Sequence, residues 1–88
     1  MQNVSVTTSV TTILPAGPRS DGNYIIQNQS DTTMYLAIGS VNAALLTSSL
    51  GLILEAGDTI ILGGGSASQL VSAIHGGSGS KTAHWQRV

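Results

Sequence analysis

Two histidines, His75 and His84, are the only imidazoles in the chain, and imidazole is the side chain best suited to bind a metal or move a proton near neutral pH. If the strands flanking Gly76-Gly77-Ser78-Gly79-Ser80 form a hairpin that pairs residue 75 with residue 82, the two rings become diagonal neighbours on one face, within reach of a shared ion. Two ligands do not close a zinc site, and no Cys or acid accompanies them in sequence. A symmetry axis could repeat the pair in trans. The less demanding reading makes them polar residues on a rim or interface, and predicts that alanine at either position is nearly silent.

Other chemistry is thinner still. Gly63-Gly64-Gly65 invites a phosphate loop, but neither the GxGxxG nor the GxxxxGK[ST] spacing is present and no helix pattern follows. A plain glycine-rich break is the simpler expectation. Serine and threonine are abundant, yet a hydroxyl without a neighbouring base is a sheet-surface residue, not a nucleophile. The spacing therefore offers no catalytic, cofactor-binding or metal set, and the chain is expected not to be an enzyme. Trp85, the only tryptophan, lies beside His84, Gln86 and Arg87. It suits an interface anchor or the one large plug of an aliphatic core equally well.

Composition narrows the field. The 88 residues predict a single domain over 1–88. There is no Cys to staple it and no Phe, so Ile, Leu, Val and Ala must build the core. Charged residues are 8% of the chain, against a usual share of about 25%. Arg19, Lys81 and Arg87 face four acids, Asp21, Asp31, Glu55 and Asp58, so no basic patch for nucleic acid is expected. So few charges would protect an exposed surface poorly against association, which points to contact with other protein. The stretch AALLTSSLGLIL is interrupted by Thr-Ser-Ser and too short to span a membrane. MQNVSVTTSV lacks the basic and apolar regions of a secretory signal, and without secretion the sequons at Asn3 and Asn28 carry no weight.

The elements that would position these residues read as strands. Val4, Val6, Thr8, Val10, Thr12 and Leu14 alternate as one half-buried strand, ended by Pro15, Gly17 and Pro18. NYIIQNQSDTTMYLAIG, residues 23–39, reads as a hairpin with Met34, Leu36 and Ile38 on one face, and Tyr35 and Ala37 on the other. Residues 40–50 read as a loop with room for one helical turn at Val41–Leu46. GLILEAGDTIIL reads as a second hairpin about a type II turn at Glu55-Ala56-Gly57-Asp58, with Leu52, Leu54, Ile60 and Leu62 on one face. Gln69–His75 and Thr82–Val88 make a last pair. Six to seven short strands with regular turn signals predict an all-β fold, a small antiparallel β-sandwich or β-barrel.

In this order the segments resemble small virion accessory proteins of tailed bacteriophages. The likeness lies in Tyr24-Ile25-Ile26-Gln27-Asn28, Ser30 and Tyr35-Leu36-Ala37, followed by Gly51-Leu52-Ile53-Leu54 with Ala56-Gly57. It extends over roughly residues 4–88. The resemblance implies a capsid decoration (cement) protein, with a tail or fibre-base adaptor as the alternative; apart from it, an all-β fold can host a carbohydrate-binding module, but three aromatics leave few to stack on a sugar. It implies a virion location, the major capsid protein or tail proteins as partners, and a homo-oligomer, a trimer first. On this reading other copies or the shell cover the second apolar face, and Tyr35, Ala37, Trp85 and Arg87 are the candidate interface.

Overall fold

The computed structural model describes residues 2–14, 23–63 and 69–87. Among them lie eight strands and one helical turn: β1 (Gln2–Val6), β2 (Thr11–Leu14), β3 (Tyr24–Asn28), β4 (Met34–Ile38), α1 (Ser40–Ala43), β5 (Leu52–Leu54), β6 (Thr59–Leu62), β7 (Val71–His75) and β8 (Lys81–Arg87). They form two four-stranded antiparallel sheets, ordered β1-β8-β3-β6 and β2-β7-β4-β5. The all-β sandwich expected from sequence is present, with more strands than the pattern suggested. The extra strand comes from the first alternating run, which bends between two sheets instead of continuing. At that bend Thr7 Oγ1 accepts the Ser9 amide at 3.1 Å, and Thr11 Oγ1 donates to the Ser9 carbonyl at 3.0 Å. These local bonds stand in for ladder bonds where the chain changes sheets.

None of the three expected hairpins exists. β3 pairs with β6 and β8, while β4 pairs with β5 and β7. β5 and β6 likewise lie in different sheets, as do β7 and β8. Each connection is an arch that carries the chain across the sandwich. The turn chemistry at 55–58 is nevertheless as expected: Asp58 N donates to Glu55 O at 2.9 Å and Gly57 has φ 82°, the positive value a type II turn requires. The Pro15–Pro18 break and residues 64–66 of the glycine-rich break lie outside the described residues.

The pairing has one logic. β1 joins β8, β2 joins β7, β3 joins β6 and β4 joins β5, so the chain is one long antiparallel ribbon folded back on itself at α1. Rolling the ribbon brings β3 against β8 and β4 against β7. This is the jelly-roll topology.

Asn28 holds two arches together. Its Nδ2 donates to Thr32 O and Leu54 O, each at 2.8 Å, and its Oδ1 accepts from Ser30 N and Ser30 Oγ. Its backbone amide donates to Asp58 O, and its carbonyl accepts from Gly57 N. A fully buried amide is tolerated because its donors and acceptors are all used. The same burial closes the second sequon to any glycan.

Between the sheets pack Val6, Leu14, Ile26, Met34, Leu36, Leu54, Leu62 and Val71, together with Ala73 and Ala83. Ile13 and Leu14 both point inward because the β2 register shifts between Thr12 and Leu14. Trp85 packs against this core, its ring 5.9 Å from that of Tyr24 and tilted by 50°. Leu52 shares parity with Leu54, yet lies at the open end of β5 and is 54% exposed.

Candidate interaction surface

The two histidines are not brought together. β7 places His75 opposite Met34, and β8 places His84 between Asn3 and Gln27 in the other sheet. His75 is fully buried, so it is neither a rim nor an interface residue. Its Nε2 lies 3.1 Å from Val6 O and 2.9 Å from Gly79 O, and its Nδ1 accepts from Gly77 N at 3.1 Å. The neutral ring with the proton on Nε2 satisfies all of these contacts. His75 therefore ties the end of β1 to the β7–β8 arch. His84 is half-buried, bonded to Asn3 Oδ1 at 2.6 Å and to Gln86 Oε1 at 3.1 Å. Among the described residues no group of three or more His, Cys, Asp or Glu could hold a metal, and no helix is long and apolar enough to cross a membrane.

The four candidate interface residues do not form one surface. Tyr35 and Ala37 lie on the outer side of the second sheet, whereas Trp85 faces the core from the first, two positions before the exposed Arg87. Ala37 is only 5% exposed. Leu46, from the segment after α1, folds back over Ala37 and Ile74, with Tyr35 packed at the side. The second apolar face is thus covered in large part by the chain itself.

That cover creates a different feature. Leu36, Ala37 and Ile38 of β4, Leu45, Leu46 and Leu50 of the crossing segment, and Gly51 and Leu52 enclose an open groove of about 540 Å³. Among the described residues Asn42 is the one polar side chain in its wall, and its Nδ2 donates to Ile38 O at 2.8 Å. Of the lining residues Leu45, Leu50 and Leu52 are each more than half exposed, as is Ile53 next to them in β5. β5 borders the groove as an edge strand of the second sheet, and alternate backbone groups of an edge strand face outward. The turn after β5 carries Glu55 and Asp58, and neither makes an ion pair among the described residues; Lys81 is instead 2.9 Å from Asp31.

The sequence pattern reads residues 40–50 as a loop and does not reveal this groove. The available signal was the apolar content of that loop, since Val41, Leu45, Leu46 and Leu50 are more than a solvated connection needs. No protein-family profile, curated protein or solved structure matches the chain.

Proposed function

We propose that the chain is a structural protein of a tailed-phage virion that decorates and reinforces the capsid, contacting the shell through the apolar end around β5. The observation that carries this reading is the open groove of about 540 Å³ with Leu45, Leu50 and Leu52 at its mouth. In a chain with 8% charged residues, such an apolar concentration at one end of the sandwich is a protein-binding surface. The resemblance over residues 4–88 supports the virion setting. Jelly rolls serve in viral capsid and lectin domains, although that support is analogy at the level of fold.

The reading asks for binding without turnover. A subunit that joins neighbouring shell proteins, and binds them only when assembled, stabilises the assembled state by mass action. Acting as a homotrimer at a three-fold position, it would multiply weak contacts through effective concentration. The test compares particles with and without the protein under heat or chelator stress. Retention of DNA should fall when the protein is missing. Equal retention overturns reinforcement, and labelled protein found on the tail replaces the capsid reading with the adaptor one.

A further inference from the structure

We infer that β5 is a docking strand: it pairs with an extended segment of a shell protein in which a Lys or Arg precedes a large aliphatic residue by four positions. The inference deepens the proposed function and rests on its reading of the apolar end as a protein contact. β5 is an edge strand, and among the described residues no strand pairs with its outer side, while its last carbonyl, Leu54 O, is already held by Asn28 Nδ2. It is only three residues long, so added backbone bonds alone would hold a partner weakly, and side chains must supply the rest.

The side chains along this edge set the partner's chemistry. Ile53 is the residue of β5 that points to the outer face, and Gly51 and Glu55 flank the strand two positions before and after it. Gly51 lines the apolar groove, Ile53 is 63% exposed and Glu55 is exposed without an ion pair among the described residues. Asp58 adds a second negative charge in the same turn. An incoming strand antiparallel to β5, the sense of every ladder here, meets Glu55 first, then Ile53, then the groove. Its matching residues are a cation, a β-branched residue and a large aliphatic, with about 13 Å between the first and last. The acids also decide between occupants. A second copy brings the same two acids in its own β5 edge, and its Lys81 is already 2.9 Å from Asp31, so charge complementarity favours a different chain.

The experiment titrates the full-length protein with the peptide acetyl-Thr-Lys-Thr-Val-Thr-Leu-Thr-amide, following affinity by calorimetry and position by amide chemical shifts. Saturable binding with shifts centred on residues 50–55 is expected. Placing Glu at the Lys position should weaken binding by about tenfold or more. The double variant Glu55→Lys, Asp58→Lys alters exposed positions only, and should reverse the preference between the two peptides. Equal binding of both peptides, shifts elsewhere, or no binding at all overturns the inference. So does self-association through β5 that the peptide cannot displace, which would make a second copy the occupant. Failure here with particle reinforcement intact removes the docking mode alone; docking without reinforcement removes the capsid role alone.

Discussion

The Asn28 side-chain amide donates to the Leu54 carbonyl at 2.8 Å, joining a strand of one sheet to a strand of the other through a buried hydrogen bond. Leucine at position 28 would have similar bulk and none of this bonding. It would strip Leu54 O of a donor and Ser30 N of an acceptor, while Ser30 Oγ and Thr32 O keep each other as partners at 3.0 Å. Each polar group left unsatisfied in a buried place costs roughly 1–3 kcal/mol. Asn28→Leu should therefore lower the Tm by about 10 °C or more in a domain this small. Thermal unfolding followed by circular dichroism checks this, and an unchanged Tm would remove Asn28 from its place as the tie between arches.

The histidines should separate in behaviour. Alanine at His75 removes an imidazole bonded to Val6 O, Gly79 O and Gly77 N from a fully buried position. A loss of roughly 3 kcal/mol is expected from the stranded backbone groups and the cavity. His84→Ala breaks bonds only to Asn3 and Gln86 on the outer face of the sheet, and should cost no more than about 0.5 kcal/mol. Chemical denaturation of both variants decides. Equal stability would contradict the different surroundings of the two rings.

These contrasts explain what could and could not be read from the sequence. Alternation located nearly every strand, and Gly57 located a turn, because those signals are local. Pairing is not local. An arch and a hairpin demand the same short apolar runs and the same turn residues, and Leu54 and Leu62 point into the core in either arrangement. What distinguishes them is whether the polar groups at the corner find partners across the sandwich, as Asn28 does. The supposed neighbourhood of His75 and His84 failed with the hairpin it assumed. The groove was hidden for a related reason: Leu46 reaches Ala37 and Ile74 only after the ribbon has rolled.

Aspartate substitutions should map the inner wall. Leu36 and Leu54 are each 1% exposed, and an unpaired carboxylate at either site costs several kcal/mol, enough to abolish folding of a small domain. Leu52→Asp should leave the fold intact, because that side chain is already more than half exposed. A sharp, dispersed amide spectrum for Leu52→Asp and collapsed spectra for the other two variants is the expected result. Unfolding of all three would put Leu52 in the core.

Acid should release one surface contact. The Lys81 ammonium, hydrogen-bonded to Asp31, holds that carboxyl below its ordinary value of 3.8, with Thr32 Oγ1 assisting. A carboxyl lowered on folding adds stability above its unfolded value, and the gain disappears as pH falls through the folded value. Asp31 is exposed, so the contribution is screened by solvent and salt. Wild type should therefore exceed Asp31→Asn in Tm at neutral pH and low salt, and the two should converge in acid below the carboxylate range. A constant gap across pH would show that the pair is not its source.

The cover over the second apolar face rests on Leu46 and on the missing side chain at Gly51. A Cβ built at Gly51 would lie 2.6 Å from Leu46 Cδ1 and 3.0 Å from the Leu36 carbonyl oxygen. The leucine methyl can swing aside, but the strand carbonyl cannot. Gly51→Ala should then cost about 1–3 kcal/mol and lift Leu46 from Ala37 and Ile74. Leu46→Asp should uncover the same two residues without touching the inner core. Both variants are expected to bind a hydrophobic dye more strongly than wild type, and to sediment as larger species at micromolar concentration, because the exposed sheet face then seeks another cover. Leu45→Asp, at a side chain 62% exposed, serves as the control and should do neither. If Leu46→Asp behaves like the control, the chain does not cover its own second face, and a neighbouring molecule must do so.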